Sequence, residues 1–231
     1  MERRIPQLDA RLAAAAALVR PGLPVADIGC DHGKLTAHLA ASGLYPRVIG
    51  ADLRPGPLAK ARATLANAGL LGFAELRLGD GLSVLSPGEV GTVVIAGVSA
   101  QTTIEMLEAA PWAAAPEGPR LVLVPATKHT VLRAWLYRRG FSLVRDIPVQ
   151  AAGHWYAVMA AEYTGAPQGP VTLEQCLYGA TAREPGGAAY GALQRGRLRR
   201  ARPGMPPGDP MTAAADALLA RYPEEQARAE E

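Results

Sequence analysis

Residues 25–33 read Val25-Ala26-Asp27-Ile28-Gly29-Cys30-Asp31-His32-Gly33, and the architecture of the chain follows from them. The short apolar run over residues 23–28 predicts a buried strand that ends at Gly29. The pattern over residues 34–42 predicts a helix that Gly43 stops. Strand, tight turn and helix in this order bring the turn to a helix N-terminus, a common place for a bound ligand.

Outward from this turn, strands and helices alternate along the chain. Further strands are predicted over residues 47–52, 73–78, 90–96 and 121–124, and helices over residues 8–19, 57–68, 102–109 and 128–139. Such alternation indicates a parallel sheet with helices on both faces.

The last two predicted strands break the alternation. Residues 141–149 and 154–162 are joined only by residues 150–153, a link that is long enough for an antiparallel hairpin and too short for a crossover. Seven strands that end in a hairpin are the layout of class I methyltransferases, so the predicted fold class is α/β, Rossmann-like and mostly parallel.

The composition changes after Tyr163. Residues 164–170 read TGAPQGP and resemble a linker, and the remainder has few large apolar residues. We therefore predict two domains. Residues 1–163 form the methyltransferase-like domain, and residues 164–231 form an extension of two or three short helices with a frayed acidic end over residues 224–231.

Composition excludes several classes of protein. The 231 residues suit one domain with an appendage, and no apolar run of about 18 residues is present to span a membrane. The two cysteines, Cys30 and Cys176, form no paired motif, so neither a disulfide scaffold nor a metal site is expected. No signal-like start is visible, and the expected location is the cytoplasm.

Acidic residues follow three successive strands of the predicted sheet. Asp27 lies in the first strand, Asp52 closes the second, and Asp80 follows the third within Gly79-Asp80-Gly81. Asp52 suits the hydroxyls of a ribose, and Asp80 suits the amino group of an adenine. A turn aspartate alone has a structural explanation as well, but three at one sheet edge favour a nucleoside site.

Asp31 argues against a dinucleotide. It occupies the place of the middle glycine of the usual Gly-x-Gly-x-x-Gly turn, where a carboxylate would repel a pyrophosphate. A cofactor with a cationic end is favoured instead, and S-adenosylmethionine carries a sulfonium and an ammonium group. Asp31 also suits a helix N-cap, and that role is compatible with the first.

These motifs together resemble the bacterial tRNA (adenine-22 N1)-methyltransferase family over roughly residues 8–163. Asp31-His32 is the discriminating pair, since most class I methyltransferases have glycine near there. The similarity rests on Asp27-Ile28-Gly29-x-Asp31-His32, Gly56-Pro57, Asn67-x-Gly69-Leu70, Leu78-Gly79-Asp80-Gly81-Leu82, Ile95-Ala96-Gly97, Leu132-Arg133-x-Trp135-Leu136, Gly140-Phe141 and Tyr156.

The resemblance implies transfer of a methyl group from S-adenosylmethionine to N1 of an adenine in tRNA, with a helical C-terminal part that helps to hold the tRNA. Asp31 and His32 would lie near the entering base; the alternative for His32 is a structural bond to the turn backbone. The expected cofactor-binding residues are Asp27, Gly29, Cys30, Asp31, Gly33, Asp52, Leu53, Asp80, Gly81 and Gly97.

Two loops depart from the family. Its Gly-Met-Gly-Gly after the fourth strand is Gly97-Val98-Ser99-Ala100 here, and its Gln-Pro-Asn after the fifth is Val124-Pro125-Ala126. Both loops face the methyl-accepting base. A non-catalytic relative that binds the cofactor and RNA, and a methyltransferase that acts on a small molecule, therefore stay open as alternatives.

A run of five arginines in residues 194–202 contains no acid and predicts a phosphate-binding surface for tRNA. Because only three of the 24 basic residues are lysines, an arginine-rich but merely solvated helix face is the alternative. The five are Arg195, Arg197, Arg199, Arg200 and Arg202, with Arg133, Arg138 and Arg139 as possible additions. The sequence leaves open the tRNA, the nucleotide and the oligomeric state.

Overall fold

The computed structural model describes residues 5–165 and 169–223, and a seven-stranded sheet forms its centre. The strand order is β3-β2-β1-β4-β5-β7-β6; β1 to β5 are parallel, and β7 runs antiparallel to both of its neighbours. This confirms the predicted fold class. The strands are β1 (Val25–Ile28), β2 (Val48–Asp52), β3 (Glu75–Leu78), β4 (Thr92–Ala96), β5 (Arg120–Val124), β6 (Phe141–Ala151) and β7 (His154–Tyr163).

Helices cover both faces of this sheet. In β4, Val93 and Ile95 pack into one core with α4 and α5, whereas Val94 packs into the other core with α1 and α2. The helices are α1 (Ala10–Leu18), α2 (Lys34–Ser42), α3 (Pro55–Asn67), α4 (Ala100–Glu108), α5 (His129–Arg138), α6 (Leu173–Tyr178), α7 (Gly187–Ala201) and α8 (Pro210–Leu219).

The predicted elements are all present within the described residues, with shifted ends. Helix α3 begins at Pro55 and not at residue 57, because a proline fits the first turn of a helix, where its missing N–H is not needed. Part of the predicted linker (residues 166–168) and the acidic end (residues 224–231) lie outside the described residues.

The β6–β7 hairpin extends well beyond the sheet. Its two-residue turn, Ala152-Gly153, has positive φ at both positions, the geometry that matches the twist of the flanking strands. Strand β7 pairs with β5 only at residues 159–161, so the turn end of the hairpin projects past β5.

A buried arginine on α5 links helices α6 and α7 to the sheet domain. Arg133 of α5 is fully buried and donates from Nε and Nη2 to the carboxylate of Asp146 on β6, at 2.8 and 3.0 Å. Its Nη1 donates to the carbonyl of Leu177 at the end of α6 and to the hydroxyl of Tyr190 on α7. Arg133 therefore does not extend a tRNA surface, and that expectation is corrected.

No helix in the two described ranges combines the length and the apolar character that crossing a lipid bilayer requires.

Replacement of Arg133 by methionine should leave the Asp146 carboxylate buried without its partner, at a cost of about 3 to 5 kcal/mol in the free energy of unfolding. Urea denaturation measures this cost. As a control, Arg139→Ala, which breaks an exposed contact to Glu108, should cost about 1 kcal/mol or less. Equal costs for the two variants would show that the buried pair contributes no more to stability than the exposed contact.

Candidate functional site

A cleft of about 700 Å³ opens at the carboxyl ends of the parallel strands, within the size range of small-molecule sites. It brings together the three strand-end carboxylates, Asp27, Asp52 and Asp80. Most of the other sequence-predicted residues also line it: Gly29, Cys30, Asp31, His32, Leu53, Gly81 and Gly97. Gly33 is the expected residue that does not.

Asp52 fixes the turn that follows β1. Its Oδ2 accepts the backbone N–H of Asp31 at 3.1 Å, and its Oδ1 accepts the N–H of Arg54 at 3.0 Å. Asp31 has φ +47°, a left-handed conformation that costs a non-glycine residue energy and that this hydrogen bond helps to hold. Because each carboxylate oxygen accepts more than one hydrogen bond, Asp52 keeps acceptor capacity toward the cleft.

Asp27 is a buried carboxylate with no cationic partner among the described residues. Only 3% of its surface is exposed, and the hydroxyl of Thr36 donates to its Oδ2 at 2.7 Å. Burial raises the pKa of Asp27 to about 6, against the opposing effect of the Thr36 hydrogen bond. A cation bound in the cleft would compensate this charge.

Gly33 serves packing and not ligand approach. A Cβ there would lie 2.8 Å from the Cβ of Ala61, so the glycine lets the start of α2 approach α3 closely. Its φ of +67° adds a second reason for glycine at this position. The expectation that Gly33 lines the cofactor site is corrected accordingly.

Asp31 and His32 are exposed at the mouth of the cleft. His32 Nε2 lies 3.3 Å from Lys60 Nζ and 3.8 Å from the Asp31 carboxylate. Within the described residues the His32 side chain makes no hydrogen bond to the turn backbone. The alternative role of this histidine, a structural bond to that backbone, is therefore not observed. Both side chains remain accessible to a molecule that enters the cleft.

Three further residues of the cleft differ in polarity and in exposure. Asp80 is exposed, and Leu53 presents an apolar side chain that is 61% exposed. Cys30 is buried, and burial raises the pKa of its thiol, which favours the neutral form.

The two loops that depart from the family lie next to each other. The N–H of Ala126, after β5, donates to the carbonyl of Val98, after β4, at 2.8 Å. Gly97 and Val98 line the cleft, whereas Ser99 caps α4 by accepting the N–H of Thr102 at 3.0 Å. Ser99 is thus occupied as a helix cap.

A family model described as "Methyltransferase domain" matches residues 8–159 of the chain. The chain belongs to this methyltransferase domain family. The tRNA (adenine(22)-N(1))-methyltransferase of Bacillus subtilis is 30% identical over 156 residues. That match covers 68% of this chain and 65% of the relative, slightly less than two thirds of the relative's length.

Solved structures share the methyltransferase fold. Streptococcus pneumoniae Sp1610 in complex with S-adenosyl-L-methionine superimposes with a TM-score of 0.76 at 24% identity, covering 93% of this chain and 97% of that one. M. capricolum TrmK in complex with S-adenosyl-homocysteine gives a TM-score of 0.72 at 20% identity, covering 96% and 95%. The resemblance expected from the sequence motifs is confirmed.

Helices α1 and α4 of the methyltransferase domain supply cleft residues that the sequence motifs did not indicate. Asp9, Arg11 and Leu12 come from the start of α1, and Thr102 and Met106 from α4. The position of α1 was predictable from the sequence, because a helix that leads into β1 through a short loop packs antiparallel to that strand. Its N-terminus therefore reaches the edge of the sheet where the strands end.

The five arginines of residues 194–202 do not form one surface, and this expectation is corrected. Arg195 is buried, and its guanidinium stacks on the ring of Tyr222 at 3.8 Å. Arg199 donates to the Tyr222 carbonyl, and Arg202 forms two hydrogen bonds with Asp216 at 2.6 and 2.8 Å.

Arg197 and Arg200 differ from these three. Both are exposed on α7, and neither makes an ion pair with another residue of the described ranges. Of the suggested additions on α5, Arg138 is exposed and Arg139 contacts Glu108. No three histidine, cysteine, aspartate or glutamate side chains in residues 5–165 and 169–223 are placed to hold a metal ion.

Asp27→Asn should stabilise the ligand-free protein at high pH. Burial raises the pKa of Asp27 to about 6, so the folded protein holds the proton of this carboxyl more tightly than the unfolded chain does. The contribution of Asp27 to the free energy of unfolding is therefore full below its ordinary pKa and is lost as the pH rises through about 6. The asparagine keeps an acceptor for Thr36 and carries no charge, so thermal melting at pH 8 should show a gain on the order of 2 kcal/mol.

The control for this experiment is Asp80→Asn, which changes an exposed carboxylate and should leave the melting temperature nearly unchanged. A variant Asp27→Asn that melts no higher than the parent protein at pH 8 would contradict the proposed burial penalty.

Proposed function

We propose that this protein transfers a methyl group from S-adenosylmethionine to N1 of an adenine in tRNA. The proposal is carried by the buried carboxylate of Asp27, which no cation of the described residues balances, in a cleft at the carboxyl edge of a methyltransferase sheet. Its curated relative in Bacillus subtilis has this tRNA activity by name.

The cleft suits a cationic nucleoside better than a phosphate. Its two buried charges, Asp27 and Asp52, are both negative. The cations that line it lie at the surface or are paired: Lys34 and Arg54 are exposed, and Arg11 bonds to Asp9. A pyrophosphate would meet the buried carboxylates of Asp27 and Asp52 at the centre of the cleft, of which Asp52 has the exposed guanidinium of Arg54 3.9 Å away.

In this proposal the cleft residues predicted from the sequence contact different parts of the cofactor. Asp52 would accept hydrogen bonds from the ribose hydroxyls, and Asp80 would accept one from the adenine amino group. Asp27 and Asp31 would face the cationic end. The remaining contacts would come from Gly29, Cys30, Leu53, Gly81 and Gly97.

S-adenosylmethionine, when bound, supplies a methyl carbon on a positively charged sulfur. Because N1 of adenine has its own lone pair, the protein needs no strong base, and its residues act by positioning the base. Methylation at N1 leaves the purine ring positively charged. The carboxylate of Asp31 at the cleft mouth would stabilise that charge, and His32 would orient the exocyclic amine.

The target base has to leave its stack to reach the cleft, which costs a few kcal/mol that contacts to the rest of the RNA must offset. We propose that residues 1–163 form the methyltransferase domain and that the extension over residues 164–231 contributes such contacts. The proposed location is the cytoplasm, where tRNA is present.

Asp52→Ala should reduce methyl transfer to cognate tRNA at least about 100-fold, because it removes the ribose contact and the bond that holds the turn. Asp80→Ala, which alters only an exposed contact, should chiefly raise the KM for S-adenosylmethionine. Incorporation of a labelled methyl group into transcribed tRNA measures both effects, with melting curves as a check on folding. Full activity of Asp52→Ala would refute the site.

The altered loops at Val98 and Ala126 favour one competing function, a non-catalytic relative. Calorimetric binding of S-adenosylmethionine without transfer to any RNA of the native host would support that alternative. Transfer to a small molecule, indifferent to tRNA and to salt, would instead indicate a retargeted enzyme, since phosphate binding weakens steeply with salt.

A further inference from the structure

A second cavity, of about 800 Å³, lies beside the acidic cleft. The loop after β5, the turn end of the β6–β7 hairpin and helix α7 surround it, so it lies between the methyltransferase domain and the C-terminal helices. The residues that matter for its chemistry are Thr127, Lys128, Trp155, Tyr156, Gln194 and Arg197.

The charge of this second cavity is opposite to that of the cleft. Among the described residues that line it, none is an aspartate or glutamate. Lys128 and Arg197 both line it, and neither has an ion-pair partner within residues 5–165 and 169–223. His129 donates from Nε2 to the carbonyl of Pro125 at 3.1 Å, and burial lowers its pKa to about 4, so it is neutral at pH 7.

The two cavities share a wall. Arg11 lines the acidic cleft, and its guanidinium lies 5.0 Å from the ring centre of Tyr156, which lines the second cavity. A second contact between the two cavities is the hydrogen bond from the N–H of Ala126 to the carbonyl of Val98. Ala126 lines the second cavity, and Val98 lines the cleft. A chain whose one nucleotide entered the cleft would therefore place its neighbour close to the second cavity.

Aromatic side chains complete the second cavity. Trp155 and Tyr156 are both partly exposed, and Trp155 packs edge-on against Tyr190, with ring centres 6.0 Å apart. Bases of single-stranded RNA stack on such rings without regard to sequence, and cations beside the rings bind the phosphates. Aromatic rings together with unpaired cations and no acid fit a nucleotide better than an acidic peptide or a simple anion.

We propose that the second cavity binds an RNA nucleotide adjacent to the methylated adenine, with its base against Trp155 or Tyr156 and its phosphate on Lys128 and Arg197. This inference rests on the proposed function, because it takes the acidic cleft as the place of the methylated base. It makes Arg197 and Lys128 positioning residues for the RNA.

The experiment compares two arginines of the same helix. Arg197→Ala removes a cation of the second cavity, and Arg200→Ala removes another exposed cation, one that does not line the cavity and has no ion-pair partner within residues 5–165 and 169–223. The Kd of each protein for a tRNA transcript is measured by fluorescence anisotropy at several salt concentrations, with S-adenosylhomocysteine present. Calorimetry of S-adenosylhomocysteine binding serves as the check on the cleft.

Arg197→Ala should raise the Kd for tRNA about fivefold or more and lower the salt dependence by about one phosphate contact, whereas Arg200→Ala should change the Kd by less than about twofold. Lys128→Asn should act like Arg197→Ala, since asparagine tolerates the left-handed backbone of Lys128 at φ +57°. Binding of S-adenosylhomocysteine should stay unchanged in all three.

Equal effects of Arg197→Ala and Arg200→Ala, or no effect of either, would overturn the second cavity as an RNA site. Tyr156→Leu without any loss of tRNA affinity would overturn the stacking role of that ring. These measurements of binding do not depend on methyl transfer. Failure of the proposed function is therefore distinguishable: the unsubstituted protein would bind tRNA without methylating it.

Discussion

The Asp52 carboxylate sets the geometry on which the rest of the site depends. By accepting the N–H groups of Asp31 and Arg54 together, it ties the turn after β1 to the end of β2. The turn is thereby held with Asp31 in a left-handed conformation, which leaves that carboxylate exposed at the mouth of the cleft. One side chain thus organises the backbone around the cleft and keeps acceptor capacity for a ligand.

Burial determines how strongly the carboxylates of the cleft favour a bound cation. An exposed carboxylate is solvated whether or not a ligand is present, whereas Asp27 loses its solvation in the folded protein and is compensated by hydrogen bonds from Thr36 and not by a cation of the described residues. The energy that folding spends there becomes available when a cation binds. Close to it, across the wall formed by Arg11 and Tyr156, the charges reverse, so that one edge of the domain carries an acidic cleft beside a cavity lined by cations.

The sequence was sufficient to predict which residues are neighbours wherever the order of strands and helices alone determines their positions. Strand ends of a parallel sheet meet at one edge, so Asp27, Asp52 and Asp80 were predictable as neighbours. Roles that depend on a distant partner were not predictable: Gly33 depends on Ala61, and Arg133 on Asp146.

The arginines of α7 are an intermediate case, because the period of a helix already separates those that face the protein from those that face solvent. Arg195, Arg199 and Arg202 recur at intervals of four and three, which places them on one face of the helix, and this is the face that makes internal contacts. Arg197 and Arg200 lie off that face. Only the identity of the partners, Tyr222 and Asp216, needed the structure.

Calorimetric titrations at pH 8 with S-adenosylmethionine and, in parallel, with NAD⁺ test whether the acidic cleft selects a cationic nucleoside over a pyrophosphate. We expect saturable binding of one molecule of S-adenosylmethionine per chain and no binding of NAD⁺. Heat from NAD⁺ alone, or equal affinity for both, would contradict it.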